Sequence, residues 1–279
     1  ATKGDCYFLK HNYSYEKETA ELLTALIKSQ PKCSLPPTVI FQAIRQYEVV
    51  AGFTLSQEQR DAIFLALKKP VAIVTGGPGT GKTAIMAALC HVLKSAAPKA
   101  RVKLCAPTGK AAVHLSKVTG VTAATMHSLK SKRINCDFLI IDEASMVDIA
   151  LLHDTLQMVS KGAHILFLGD TDQLPCIGGG NVLRDMISCK KIPIANLSQV
   201  YRQHEETGLG AYVNTIRTAL EAPSLPESCS IDDSICFISL REKSEIEQKV
   251  VEIAESMKNR GHEMGDVQIL APTREWSDN

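Results

Sequence analysis

The segment Gly76 to Thr83 reads GGPGTGKT, between the apolar run Val71 to Thr75 and the helix-forming run Ala84 to Leu89. Strand, glycine loop and helix in that order make a phosphate-binding loop. Glycines let the backbone of Gly77, Pro78, Gly79, Thr80 and Gly81 curl until several N–H groups point inward, and the helix N-terminus adds partial positive charge behind them. Lys82 is then placed for the β- and γ-phosphates and the Thr83 hydroxyl for Mg²⁺, so the loop implies binding of a nucleoside triphosphate.

A chain of 279 residues can bury a large core around one full α/β domain, with smaller or partial domains beside it. Its 31 Lys+Arg and 30 Asp+Glu nearly cancel, so a nucleic-acid partner has to be held by a local groove and not by bulk charge. The nine cysteines form no C-x-x-C pair, which fits reduced thiols and a cytoplasmic location and argues against a zinc site. No run of about 18 apolar residues is present, and none of the sequence reads as an export signal, so no membrane association is expected.

Periodic apolar positions predict helices over Ser14 to Ser29 and Thr38 to Val50, making a small N-terminal helical region, 1–52. Ser56 with Gln59 three residues on has capping-box spacing for a helix over 57–67. From Val71 onward, strand-like runs at 71–75, 102–106, 138–141, 164–168 and 192–197 alternate with helical ones. That alternation predicts an α/β fold with a mostly parallel sheet covered by helices, over 53–205. Beyond it, a helix around 209–220, a Pro/Ser/Asp/Cys-rich stretch, weaker strands at 234–240 and 267–271 and a helix over 241–258 predict a linker and a second, incomplete α/β domain, 206–279.

Four further strings carry chemistry. Phe138 to Glu143 is an apolar strand ending in paired carboxylates. If it neighbours the loop strand, Asp142 reaches the metal ion and Glu143 polarises the attacking water. His164 to Gln173 repeats the pattern, with Gln173 suited to sense the γ-phosphate; Asp170 either joins that network or caps a turn. The glycines of Leu174 to Gly180 suggest a turn that moves with nucleotide state. Arg202, just after another strand, is suited to stabilise charge on the γ-phosphate, with an ion pair to Glu205 or Glu206 as the alternative. Pro107 to Lys110 makes a turn exposing Thr108, the Gly109 N–H and Lys110, groups suited to a sugar-phosphate backbone; a simple helix cap is the alternative. Thr125 and His127 lie on the same side of the pattern. Gln59 has both a donor and an acceptor for an adenine edge.

Taken together, LSQEQRDAI, GGPGTGKT, LCAPTGKAA, ATMHSL, LIIDEASMVD, ILFLGDTDQLPCIGGG and LSQVYRQ, in that order over 55–203, resemble the superfamily 1 DNA helicases of the RecD type. These include the alpha subunit of exodeoxyribonuclease V and its stand-alone and conjugative relatives. The resemblance implies a RecA-like P-loop motor domain with DVQILAPTR opening a second RecA-like domain. It implies ATP and Mg²⁺ as cofactors, with Gln59 on adenine, Lys82, Thr83, Asp142 and Glu143 at the phosphates, metal and water, and Gln173 coupling nucleotide to DNA. It makes Arg202 an arginine finger and sets Thr108, Gly109, Lys110 and His127 toward single-stranded DNA. It further implies 5′-to-3′ movement, duplex unwinding and, in some members, two partner subunits in a recombination nuclease. An ATPase used as a switch or assembly module without strand separation is the alternative. Two departures stand out. Leu129 to Asp137 is short where the family carries a duplex-splitting hairpin, and the family's C-terminal motifs are absent. The chain by itself is therefore expected to bind nucleotide, hydrolyse it slowly and unwind poorly.

Overall fold

The computed structural model describes residues 2–3, 6–7, 9–129, 133–199, 212–213, 215–216, 228–231 and 235–271. The chain divides into two compact units, Ala1–Arg202 and Gln203–Asn279.

The first unit opens with a two-residue hairpin, β1 (Thr2–Lys3) and β2 (Cys6–Tyr7), which the sequence pattern did not announce. Helices α1 (Lys10–Lys28) and α2 (Pro37–Ala51) follow, each starting earlier than its periodicity predicts. Pro36 and Pro37 pre-set the entry to α2, and Gly52 ends it in the left-handed region at φ 74°. Helix α3 (Gln57–Lys68) begins at the expected capping box, with Ser56 and Gln59 bonding reciprocally. The chain then alternates: β3 (Val71–Gly76), α4 (Lys82–Ala96), β4 (Val102–Ala106), α5 (Gly109–Thr119), β5 (Ala123–Thr125), α6 (Met126–Leu129), β6 (Phe138–Ile141), α7 (Ile149–Met158), β7 (His164–Gly169), α8 (Val182–Ser188) and β8 (Ile194–Leu197).

Six of these strands form one sheet in the order β5-β4-β6-β7-β3-β8, parallel at every pairing. Because side chains alternate along a strand, the sheet supplies two cores. Ala72, Val74, Leu104, Ile140 and Leu168 face α2, α3, α4 and α5. Ile73, Cys105, Leu139, Ile141 and Phe167 face α1, α7 and α8. Residues such as Ile73, Ile85 and Leu168 have no exposed surface, and each contributes about 1.5–3 kcal/mol by burial. The expected parallel α/β sheet is thus present, with helices on both faces. Helices α1 and α2 of the N-terminal region do not form a layer of their own; they pack on opposite faces of this sheet.

In the second unit, β9 (Ser228–Ile231) and β10 (Ile235–Ile238) form an antiparallel hairpin, followed by α9 (Lys243–Asn259). The strand expected over 267–271 does not form: those residues are without regular structure, and Ile269 and Leu270 are exposed. An apolar run becomes a strand only where a partner edge accepts its backbone groups, and the described residues offer none there. Of the helix expected around 209–220, residues 212–213 and 215–216 are helical and the others lie outside the described residues. Among the described residues no helix is long and apolar enough to cross a membrane.

Candidate active site

The loop between β3 and α4 takes its shape from two glycines in the left-handed region, Gly79 at φ 79° and Gly81 at φ 88°, where a side chain would be strained. Thr80 is buried, and its hydroxyl donates to the Gly77 carbonyl at 2.8 Å. The Lys82 ammonium donates to the carbonyls of Gly76 and Gly77, at 2.5 and 2.9 Å, so it lies across the loop mouth. Thr83 is exposed on the first turn of α4.

Gln59 braces this loop from α3. Its Nε2 donates to the Thr80 carbonyl at 3.3 Å, and its Oε1 accepts from the Ser56 N–H at 3.0 Å. A carboxamide has two hydrogens and two lone pairs, so these bonds use one of each. The side chain is 5% exposed.

The carboxylate pair leaves the sheet at the same edge, but not from the neighbouring strand. Strand β7 lies between β3 and β6, pairing with both, so Asp142 and Glu143 emerge one strand further from the loop than a strand neighbouring β3 would place them. Gly169, ending β7, makes the close approach possible: a Cβ there would come within 2.6 Å of Leu183 and 3.1 Å of the Ser145 nitrogen. Glu143 has φ 52°, a left-handed conformation that costs a non-glycine residue roughly 1–3 kcal/mol. Burial, reinforced by Glu143 alongside, pushes the Asp142 carboxyl up to about 6, with Lys82 and His114 opposing. One oxygen each of Glu143 and Asp170 is buried without a hydrogen-bond partner. Buried polar groups are almost always paired, and the hard oxygens of the adjacent Asp142 and Glu143 are of the kind a divalent cation and its water take, while among the described residues no group of three or more His, Cys, Asp or Glu side chains is placed to hold a metal by itself.

Asp170 does cap a turn, its Oδ1 accepting from the Asp172 N–H at 3.0 Å. Gln173 is exposed, its N–H on the Asp170 carbonyl, and it flanks a small cavity with Ser145 and Arg184. The glycine turn after it is exposed, with Leu174 and Ile177 open to solvent, and it is tied to the start of α7. The Ile149 N–H donates to the Gly179 carbonyl at 3.0 Å, and a Cβ on Gly178 would collide with Asp148 at 2.5 Å.

The third group lies at the far end of the same edge. Thr108 caps α5, accepting from the Ala111 N–H at 3.3 Å, with Gly109 and Lys110 exposed on the first turn. Strand β5, missed because it is three residues long, pairs Thr125 with Ala106. Exposed His127 therefore emerges beside the Thr108 turn. Arg202, with Glu205 and Glu206, lies outside the described residues. Sequence reasoning also missed Glu48, which holds the start of α3, and Glu58, which bonds to the end of β8. Both are ordinary acids in sequence, and only the acidic first turn of α3 hinted at Glu58.

A family model described as an AAA domain matches residues 54–224. The chain is 35% identical over 216 residues to the ATP-dependent RecD2 DNA helicase of Deinococcus radiodurans, covering 73% of this chain and 29% of that protein. It is 30% identical over 251 residues to the RecBCD enzyme subunit RecD of Mycolicibacterium smegmatis, covering 77% of this chain and 43% of that protein. The chain thus spans less than half the length of these relatives. A crystal structure of the Pif1 helicase from Candida albicans aligns with a TM-score of 0.48 and 21% identity, covering 73% of this chain and 55% of that one. With more than half of its length matched by the family model, the chain belongs to the AAA domain family, whose fold binds ATP with a metal ion.

Proposed function

We propose that the chain is the ATP-hydrolysing motor portion of a DNA helicase that moves 5′ to 3′ on single-stranded DNA and unwinds duplex in recombination and repair. The observation that carries this reading is the convergence, at one edge of a parallel sheet, of the Lys82 loop, the desolvated Asp142 and Glu143 pair, and the exposed turn Thr108 to Lys110. The polarity and the biological setting rest on the similarity to RecD-type proteins. Residues 53–205 form the motor domain, 206–279 a linker and part of a second RecA-like domain, and 1–52 a helical region that shores up the first.

In this reading the backbone of Gly77 to Gly81 cradles the phosphates, and Lys82 moves from its carbonyl partners to the β- and γ-phosphates. The Thr83 hydroxyl and Asp142 hold Mg²⁺, which when bound neutralises charge on the phosphate oxygens. Glu143 orients the attacking water and accepts its proton, and its unpartnered oxygen is available for that bond. Gln59 keeps a second hydrogen and lone pair for the adenine edge. Gln173 answers to the γ-phosphate, and Arg202 stabilises charge as the bond to it breaks. Thr108, Gly109, Lys110 and His127 line the path of single-stranded DNA. The two partner subunits of a recombination nuclease are candidate associates, as the mycobacterial relative is named a RecBCD subunit. Reduced thiols suit a cytoplasmic location.

The test is ATPase rate with and without oligo-dT, alongside binding of a fluorescent ATP analogue with Mg²⁺. Lys82→Ala should lose nucleotide, whereas Glu143→Gln should keep it and lose hydrolysis. Unchanged affinity in Lys82→Ala would sink the site assignment. Hydrolysis in the full-length protein that ignores oligo-dT would favour a switch or assembly module.

A further inference from the structure

Lys32, Arg133 and Lys161 meet at the edge of the sheet opposite the phosphate loop, where β6 and β7 begin. Lys32 follows α1, Arg133 lies before β6, and Lys161 stands on the turn between α7 and β7; all three are exposed and line one open hollow of about 640 Å³. The fold holds them there. Gly162 shapes the turn at φ 79°, and the Ala163 N–H donates to the Ser160 carbonyl at 3.2 Å. The Lys32 N–H donates to the Gly162 carbonyl at 2.9 Å, and a Cβ on Gly162 would come within 3.1 Å of the Lys32 Cγ, so the lysine stem lies against the turn. Arg133 is placed through its neighbour: the Ile134 N–H donates to the Met158 carbonyl at 2.9 Å, and the Ile134 carbonyl accepts from the Ser160 N–H at 3.2 Å.

No acid lines this hollow, and among the described residues none of the three cations has an ion-pair partner. Asp137, close by, is already engaged: Arg101 donates to it from Nη2 at 2.9 Å and from Nε at 3.2 Å, and these bonds, with a smaller part from the Lys32 charge, hold its carboxyl below the usual carboxylate range. Unpaired like charges around one hollow repel each other until an anion enters, and a chain whose charges nearly cancel can hold a polyanion only by such local concentration. The floor, Met158 and Val159, is apolar, and no aromatic ring lines the hollow. Single-strand sites join cations to aromatic platforms on which unpaired bases stack, whereas a duplex keeps its bases stacked inside and presents phosphates. Glu18 and Glu21 of α1 lie on the far side of Gln157 and limit the patch to a footprint of a few phosphates. We propose that this edge binds the backbone of duplex DNA, without reading its sequence, through Lys32, Arg133 and Lys161. The proposal rests on the reading of the chain as a DNA motor, and adds a contact on the side of the sheet away from the nucleotide and the Thr108 turn. The strands between the two edges are four to six residues long, about 13–20 Å, so both can be occupied at once.

The experiment is equilibrium titration of the full-length protein with a labelled blunt duplex and, separately, with labelled oligo-dT, each at several salt concentrations. A cation that neutralises a duplex phosphate contributes about 0.9 to the slope of log K against log salt, so Lys32→Ala, Arg133→Ala and Lys161→Ala combined should flatten it by about 2.7. Between about 50 and 200 mM salt the parent should then lose about 40-fold more duplex affinity than the triple variant. Lys161→Glu alone, at an exposed turn position, should also weaken duplex binding at low salt, and it guards against loss of folding in the triple variant. Affinity for oligo-dT, affinity for a fluorescent ATP analogue and the ATPase rate with oligo-dT should stay within about twofold, because those sites lie at the opposite edge. Unchanged duplex affinity and slope in both variants overturn the site. Equal losses on duplex and oligo-dT overturn its assignment to duplex. With ATPase still stimulated by oligo-dT, either result removes this site alone, whereas ATPase indifferent to oligo-dT in the parent removes the motor reading itself.

Discussion

Gly76 and Leu197 face one another in parallel register at the end of β3 and β8, so close that a Cβ on Gly76 would lie 2.8 Å from the Leu197 Cβ and 2.9 Å from its carbonyl oxygen. The Thr80 hydroxyl would be 2.7 Å away on another side. Two of these three neighbours are backbone or near-backbone atoms that cannot swing aside. Gly76→Ala is therefore expected to cost about 1–3 kcal/mol, the usual range for overpacking. Thermal unfolding reads this as a lowered Tm, and nucleotide affinity should fall with it because Thr80 belongs to the loop. A variant with normal Tm and normal affinity would contradict the packing described.

Glu48 is the second structural pivot. One of its oxygens accepts from Arg60 Nε at 3.0 Å, Arg60 Nη2 at 2.8 Å and the Leu55 N–H at 2.9 Å. The Glu48 side chain is 12% exposed, so its loss strands a guanidinium and a backbone N–H together. Glu48→Ala should cost about 2–3 kcal/mol, and Arg60→Ala less, because the Leu55 bond survives it. Denaturant unfolding of the two variants checks the order. Equal losses would mean that the backbone bond contributes nothing.

What the sequence made legible follows from how locally each feature is determined. The phosphate loop announces itself because its glycines meet a backbone demand on the spot, at Gly79 and Gly81. The strands Val71–Gly76 and His164–Gly169 were readable because burial on both faces leaves almost nothing polar in them. Strand order was not readable: that β7 separates β6 from β3 is fixed by how helices and strands pack, not by any one segment. Glu58 finds Ser198 140 positions away, and no local pattern encodes that meeting. The run 267–271 failed for the opposite reason, since it has the composition of a strand but no paired edge.

Asp142 makes stability depend on pH. Its carboxyl is raised from an ordinary 3.8 to about 6, chiefly by burial, so the folded state holds a proton that the unfolded state has released. The favourable contribution is complete below about pH 3.8 and is lost as pH rises through 6. Without metal and nucleotide, Asp142→Asn at pH 7.5 should therefore be more stable than the parent, on the order of 2 kcal/mol, with the gap closing toward pH 4. Mg²⁺ with ATP should reverse the order, since only the carboxylate gains by binding a cation. Thermal melts across pH with and without Mg²⁺ and ATP test both halves, and a gap independent of pH would contradict the burial argument.

The last prediction concerns the turn after β4. Lys110 is exposed on the first turn of α5, and Thr108 caps that helix, so the remaining N–H groups of the turn and the ammonium point the same positive character outward. An ammonium that neutralises a backbone phosphate releases counterions, so removing it flattens the salt dependence of binding. For single strands the expected change is about 0.7 in the slope of log K against log salt for each phosphate no longer neutralised. Lys110→Ala should lower affinity for oligo-dT without sequence preference and flatten the slope by about that amount. Gly109→Ala supplies the sharper control. A Cβ there meets nothing within 4 Å and the backbone is not left-handed, so folding and Tm should be unchanged. If the strand runs against this turn, the added methyl meets its backbone, and affinity falls in a protein that is otherwise normal. Equilibrium titration of labelled oligo-dT at several salt concentrations, with ATP-analogue binding as the control, separates the outcomes. Unchanged affinity and slope in both variants would leave Thr108 as a helix cap and remove this turn from the DNA path.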